Sequence, residues 1–355
     1  MTMQKVKIIY NDDGCDTRYD WEGAEFNLED VEHTAKDVYA ALKKEGFDAV
    51  LLPLALKKGA PIDGVLEHIR PEPGAMIFNL CERAFEKSSF EMNMAALLEL
   101  IGVPFTGSPS LTLGLSLNKG LTKDVLSSRG IMTPEYCVLD SAPQKLKKSL
   151  KFPLIVKPLS EDASIGIDAG AVVGTMKALR KRVDYITTKF SQPAIVEEYV
   201  DGREFNVAVL GNGIEARTLP VSEIDFIGFP PDAPKICCYE SKWVTVSPLY
   251  GNTKPVCPAN ITEGLKEELS VVALKAYRTM GCRDYARVDM RVGEDGNVKV
   301  LEVNPNPDIS GDAGFARAAA AFGLSYSGLI AEIVGIASAR FSGDKDHNSA
   351  ELRGV

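Results

Sequence analysis

DYARVDMRVGEDGNVKVLEVNPNPDIS, residues Asp284 to Ser310, holds two strand-like runs, Tyr285 to Val292 and Asn297 to Val303, around an Asp295-Gly296 pair. That dipeptide readily supplies the positive φ angles of a two-residue hairpin turn, so the segment reads as an antiparallel hairpin. With Asp295 and Gly296 as the loop, counting back along both strands sets Asp289 opposite Glu302 and Arg287 opposite Asn304. Side chains alternate with a period of two, which puts these four polar groups on one face and Val288, Met290, Leu301 and Val303 on the other. One face is then core and the other a site. Two carboxylates directly across a ladder repel unless a cation lies between them. Asp289, Glu302 and the Asn304 amide oxygen are hard oxygen ligands, and a magnesium held by few protein groups completes its shell with phosphate oxygens. The alternative is an exposed hairpin with a charged outer face. The exit through two prolines, NPNPDIS, speaks against it.

With 355 residues the chain has room for two or three domains. Its net charge of -9, without any block of Lys and Arg, argues against nucleic acid as the main partner. No run approaches the length of a membrane span and the first residues, MTMQKVKIIY, lack the apolar core of a signal peptide. A cytoplasmic protein with no membrane partner is expected. Seven scattered cysteines without a CxxC pair fit reduced thiols; Cys237-Cys238 is either two small apolar residues or an oxidation-sensitive pair.

From Val6 to Gly107 apolar strands alternate with amphipathic helices: VKIIY, a helix about Val31 to Glu45, AVLLPL, a short helix ending near Ile69, AMIFNL, and a helix about Phe90 to Ile101. That is a βαβαβα unit with a parallel sheet. Residues 11–27 form a long polar loop after the first strand, either ligand-binding or a surface loop. Helical runs follow Gly107 up to IMTPEY, with Lys119 among them. Strand PLIVKP then places Lys157 at its carboxyl end, before a loop in which the small residues Ala163, Ser164 and Gly166 let backbone amides approach an anion. A helix about Met176 to Phe190, two strands, a long aperiodic segment from Ser222 to Trp243, and an amphipathic helix from Thr262 to Met280 lead to the hairpin. Two alanine-rich helices, Gly314 to Ala321 and about Ser327 to Phe341, and a polar tail close the chain.

With these pieces in order, the chain resembles the D-alanine–D-alanine ligase group of the ATP-grasp superfamily over nearly its full length. The matching words are VPFTGSPSLTLGLSLNKGLTK, IMTPEY, LIVKP, VEEYVDGREFNVAVLGN, YESKW, ARVDMRV and LEVNPNP. The resemblance implies an α/β and α+β, three-domain ATP-grasp fold: an N-terminal parallel-sheet domain over residues 1–108, a central domain over 109–196, a C-terminal catalytic domain over 197–342, and the tail 343–355. It implies ATP and Mg²⁺ or Mn²⁺, homodimerisation, and small carboxylate and amine substrates of amino-acid type. Lys119, Lys157 and Lys242 match lysines that contact ATP phosphates, and Ser164 lies in the phosphate loop. Glu197 matches the adenine-side acid, Glu198 and Val200 the hinge whose backbone reads adenine, and Glu204 the ribose acid. Asp289, Glu302 and Asn304 match the magnesium ligands, and Arg287 the arginine that stabilises the transferring phosphoryl group.

The reaction so implied is activation of a carboxylate to an acyl phosphate and its capture by an amine. The alternatives are a ligase for a non-amino-acid carboxylate, or a nucleotide-binding regulatory homologue without catalysis. The departures concern the substrates. NDDGCDTRYDWEG stands where the family has a Gly-rich segment ending in glutamate, Asp162 and Ala163 replace a glycine and a serine, and Trp243 replaces a tyrosine. Past Asn304, Asp308 and Ala313 replace a glycine and a serine. Asp308 would favour a cationic or amine-bearing group and repel a carboxylate, which points away from plain D-alanine as second substrate, or serve as a turn acid after Pro307.

Overall fold

The computed structural model describes residues 4–11, 31–55, 62–82, 87–162, 164–230, 233–238 and 252–351, with the side chains of 343–351 left aside. Lys242 and Trp243, Ala163, and all of the polar loop after Asn11 up to residue 30 lie outside the described residues.

Three sheets carry the chain. Strands β1 (Lys5–Asn11), β2 (Asp48–Leu54) and β3 (Ala75–Leu80) form the expected parallel sheet, in the order β2-β1-β3, between helices α1 (Val31–Lys44), α2 (Ile62–Ile69) and α3 (Glu91–Leu100). Every residue of AMIFNL is buried, as a strand covered on both faces requires. The last helices, α8 (Gly314–Phe322) and α9 (Tyr326–Glu351), return to this sheet: Phe315, Leu329, Ile333 and Val334 pack with Ile8, Phe78, Val38 and Leu42. Helix α9 continues well past the expected end at Phe341. Among the described residues no single helix is long and apolar enough to cross a membrane.

The helical run after Gly107 is broken in two, α4 (Ser110–Leu117) and α5 (Lys119–Ser128), because Asn118 leaves helical geometry and caps the second helix, its side-chain oxygen accepting from the Leu121 N–H. The break sets Lys119 in the first turn of α5, buried. Strands β4 (Tyr136–Leu139), β5 (Leu154–Pro158), β6 (Val172–Val173) and β7 (Ala194–Glu198) form an antiparallel sheet backed by α6 (Met176–Lys189). The expected boundary after residue 196 falls inside β7, whose Glu197 and Glu198 pair with Ile155 and Leu154.

The third sheet orders β11 (Lys254–Val256), β10 (Ser222–Asp225), β8 (Gly202–Leu210), β12 (Tyr285–Gly293) and β13 (Val298–Asn304), with β9 (Arg217–Thr218) beside β8. The start of the supposedly aperiodic stretch, Ser222 to Asp225, is therefore a strand. Helix α7 (Glu263–Thr279), capped by Thr262, covers the apolar face, where Leu269, Ala273 and Tyr277 meet Val288, Met290, Val300 and Val303.

The hairpin pairs as expected at its important end: Asp289 faces Glu302 and Arg287 faces Asn304. The turn does not. The ladder closes at Val292 and Val298, Gly296 N–H donates to the Gly293 carbonyl, and Gly296 takes a left-handed φ of 72°. This wider turn shifts the register by one, and a β-bulge between Asp289 and Met290 shifts it back. The bulge re-aims Leu301. Expected in the core, it lines the cleft on the opposite face, and Val300 takes its place inside.

Candidate active site

Across the third sheet one row of facing residues runs Ser222, Asn206, Asp289, Glu302. The Asp289 carboxylate is held from three sides: Arg287 Nε and Nη2 donate to its two oxygens at 2.7 and 2.8 Å, Asn206 Nδ2 at 2.7 Å, and Asn304 Nδ2 at 3.0 Å. Burial pushes this carboxyl above its ordinary range, Arg287 pulls it back, and Glu302 opposite adds to the push. Among the described residues no three His, Cys, Asp or Glu side chains gather for a metal. Two carboxylates and an amide on one sheet face form a sparse hard-oxygen set, which fits a magnesium whose remaining ligands come from phosphate or water.

Two lysines reach the same region from α5 and β5. Lys119 Nζ lies 3.3 Å from Glu302 Oε2 and donates to the Glu161 carbonyl at 2.8 Å. Burial opposes its charge, but Glu302 and Asp162 outweigh burial and hold its pKa above the ordinary value. Lys157 Nζ is 3.1 Å from Glu197 Oε2, and the fully buried Lys123 approaches the other oxygen at 3.4 Å while donating to the Leu301 carbonyl at 3.3 Å. Burial works against the charge on Glu197, yet Lys123 and Lys157 together hold its carboxyl below the usual range.

Lys157, Glu197, Asn206, Arg287, Asp289 and Glu302 line one cleft with about 1070 Å³ of empty space, part of it open to solvent. Ile155, Ile167, Ile224, Ile236 and Leu301 give it apolar walls beside Glu197, Glu198, Val200 and Glu204. Arg291 braces that end: its Nε and Nη2 donate to Glu204 Oε2 at 3.0 and 2.7 Å, its Nη1 to the Val200 carbonyl at 2.8 Å, and it also reaches the Lys235 carbonyl. Ser164 lines the cleft with a left-handed φ of 63°, its hydroxyl donating to the Cys237 carbonyl at 2.8 Å. Gly166 beside it cannot carry a side chain, since a Cβ would stand 2.5 Å from Pro158.

The exit of β13 explains its two prolines. Ser108 donates from its N–H to Asn306 Oδ1 and from its hydroxyl to the Pro305 carbonyl, at 3.2 and 3.3 Å. A Cβ on Gly107 would lie 2.6 Å from the Asn306 oxygen. The segment is thus threaded against Gly107 and Ser108, and it borders a smaller pocket of about 310 Å³ lined by Glu82, Glu91, Tyr285, Asn306 and Asp308. Burial, with Asp162 and Glu82 nearby, pushes the Glu91 carboxyl well above its ordinary value, and the bond from Asn306 Nδ2 offsets only part of this. Asp308 both lines this pocket and serves as a turn acid, its Oδ1 accepting from the Ser310 N–H and hydroxyl at 2.8 Å each.

A family model for the D-ala D-ala ligase C-terminus matches residues 125–335, more than half of the chain. The chain belongs to the D-alanine–D-alanine ligase family. It is 35% identical over 317 residues to protein y4sG of Sinorhizobium fredii, an uncharacterized protein, covering 87% of this chain and 89% of that one. It is 34% identical over 245 residues to the D-alanine–D-alanine ligase of Bordetella petrii, covering 68% and 71% of the two chains. Among solved structures, the D-alanine–D-alanine ligase of Bacillus anthracis complexed with ATP superposes with a TM-score of 0.70 at 21% identity, over 96% of this chain and 99% of the other. That likeness shows the ATP-grasp fold.

Of the residues singled out from sequence, Lys157, Ser164, Glu197, Glu198, Val200, Glu204, Arg287, Asp289 and Glu302 share the large cleft. Lys119 and Asn304 join it through Glu302 and Asp289. Asp308 sits in the smaller pocket. Sequence reasoning missed Asn206, Arg291 and Lys123. A signal for Asn206 was present: Glu204 and Asn206 alternate with the buried Phe205 and Val207 along β8, which marks one polar face of an inner strand.

Proposed function

We propose that this ATP-grasp ligase of the D-alanine–D-alanine ligase family is an ATP- and Mg²⁺-dependent carboxylate–amine ligase acting on substrates other than two D-alanines. The observation that carries this reading is the Asp289–Glu302 pair across the ladder, with Arg287 and Lys119 on it, at one end of a cleft whose other end holds Glu197, Glu198, Val200 and Glu204. The Bacillus anthracis ligase of like fold was crystallised with ATP, which supports a nucleotide here.

In this reading Glu197 accepts from the adenine amino group, the hinge backbone at Glu198 and Val200 reads the ring edge, and Glu204 takes the ribose hydroxyls. Only one Glu204 oxygen accepts from Arg291, so the other is left for ribose. Lys119 and Lys157 hold the phosphates. The substrate carboxylate oxygen attacks the γ-phosphorus, ADP leaves, and an acyl phosphate forms; the amine nitrogen then attacks the acyl carbon, phosphate leaves with the bonding pair, and loss of a proton gives the amide. Phosphoryl transfer asks the protein mainly for positioning and charge neutralisation, and Arg287 supplies both at the transferring group. Asp289, Glu302 and Asn304 would hold the magnesium, which neutralises phosphate charge when bound. Changed substrates are supported by Asp162, placed among Lys119, Glu302 and Glu91, and by the acids of the smaller pocket.

The test is phosphate release with Mg²⁺ and ATP across a panel of amino-acid pairs. The expected result is release that needs a carboxylate and an amine together and is poor with D-alanine alone. Tight nucleotide binding without release for any pair would favour a regulatory homologue.

A further inference from the structure

Glu197 meets a cation on each of its oxygens, and the two cations are placed differently. Lys157, on β5, lines the cleft with Nζ 3.1 Å from Glu197 Oε2. Lys123, four residues after Lys119 on α5, is 0% exposed and stands behind the cleft wall. Its Nζ lies 3.4 Å from Glu197 Oε1 and donates to the carbonyl of Leu301, a wall residue, at 3.3 Å. Oε1 is enclosed by protein and accepts no hydrogen bond among the described residues, so Lys123 is its ionic neighbour. A ligand in the cleft can draw Lys157 away and so uncover Oε2, while Lys123 and Oε1 stay covered.

The difference matters once a nucleotide binds. Burial pushes the Glu197 carboxyl up, and Lys123, Lys157 and Lys119 together outweigh it. Two of these lysines, Lys119 and Lys157, are the ones that turn to the phosphates in the reading above. A buried carboxylate stripped of its counter-charges takes up a proton, and a protonated carboxyl is a weaker acceptor that also donates. Lys123 is the cation left in place. Burial lowers its pKa and Glu197 opposes this, leaving it at about 8 and the side chain charged at pH 7.

We infer that Lys123 is a positioning residue for nucleobase selectivity: as the fixed counter-ion on Oε1 it keeps Glu197 an ionised acceptor, with Oε2 offered to the amino group of a 6-aminopurine, after Lys157 has turned to the phosphates. The inference rests on the nucleotide placement proposed above and deepens it, since recognition of the amino group then depends on a residue that the nucleotide does not touch.

The test compares Mg·ATP with the Mg complex of purine riboside 5′-triphosphate, which is ATP without its 6-amino group. Both are titrated calorimetrically into the full chain at pH 7, with no other substrate present. Wild type should bind ATP at least about tenfold more tightly than the analogue, the scale of a hydrogen bond to a buried charged acceptor. Lys123→Met should compress that ratio to about twofold or less, and Lys123→Arg, which keeps the charge, should restore most of it. In a Glu197→Gln background Lys123→Met should change the ratio no further. Removing one partner of a buried ion pair can prevent folding, so Lys123→Gln, neutral but able to donate to the Leu301 carbonyl, gives the same reading if the Met variant does not fold. A ratio near one in wild type overturns the inference. So does a ratio that the neutral variants leave unchanged, even if both affinities fall together, because that is what a merely structural ion pair would give. Binding of neither nucleotide overturns the inference along with the nucleotide site it rests on, whereas the expected ratios in a protein that forms no ADP with any substrate pair keep it while the ligase reading alone fails.

Discussion

The two ends of the active-site region differ in how their charges are satisfied. On the strand ladder and the hinge, acids and bases are matched: Arg287 with Asp289, Lys119 with Glu302, Lys157 and Lys123 with Glu197, Arg291 with Glu204. Around the exit of β13 and the start of α8 they are not matched. Arg317 has only a backbone carbonyl, Asp308 a serine, and Glu91 an asparagine among the bonds that hold them. In the proposed reading a matched site would bind Mg·ATP by exchange: Asp289 and Glu302 would hold the metal, and Lys119, Lys157 and Arg287 would be released to the phosphates. An unmatched site waits for the charges of its own ligand. Under the proposed function the contrast would fix the nucleotide end and leave the other end to set specificity.

The contrast breaks first at Glu302. Glu302→Gln removes one of two facing carboxylates and the partner of Lys119, so turnover should fall at least about 100-fold while the thermal midpoint stays within about 4 °C. Normal turnover in that variant would remove the metal assignment. Next in size is the exchange itself. Because Arg287 and Lys119 are tied to the same carboxylates that would hold the metal, ATP measured by calorimetry should bind at least about tenfold more weakly without Mg²⁺ than with it. Equal affinities would mean that the cations are free beforehand and that the matching has no consequence. Asn206→Leu should come third, lowering kcat about tenfold, since it strips one hydrogen bond from buried Asp289 without touching its charge.

The matched end was also the legible one. A hairpin between strands of alternating polarity announces its faces from sequence, and Asp289 does meet Glu302 as the spacing requires. That success contains two compensating departures, a wider turn and a bulge, and only Leu301 betrays them by moving from core to cleft. Period-two reasoning carries no signal for a bulge. Arg291 and Lys123 stayed hidden for another reason: their partners, Glu204 and Glu197, are 87 and 74 residues away in sequence, and a lone basic residue in a strand or helix has no local mark that distinguishes a brace from a solvated charge. The parallel sheet and most helices were legible by periodicity and caps. The return of α8 and α9 onto that sheet was not, because nothing local tells an apolar helix face which sheet will cover it.

Lys123 offers the smallest effect and the finest test of the matched end. Burial, opposed by Glu197 and aided by Lys157 and Lys119, lowers its pKa from 10.5 to about 8. The unfolded chain binds this proton up to the ordinary lysine value, while the folded chain begins to release it near pH 8. Between those values the unfolded state holds more protons, so stability rises with pH through this window. Lys123→Met has no such proton. The unfolding free energy of wild type relative to Lys123→Met should therefore increase from pH 8 to pH 10, by at most about 1.4 kcal/mol per pH unit, measured by denaturant melts at matched ionic strength. A difference independent of pH would mean that Lys123 stays charged against Glu197 throughout, so that Glu197 would keep one full cation if Lys157 turned to a phosphate. A decrease would mean that the pair stabilises the lysine's charge rather than burial opposing it, and the hinge end would then be bound more tightly to its own lysines than the exchange with nucleotide allows.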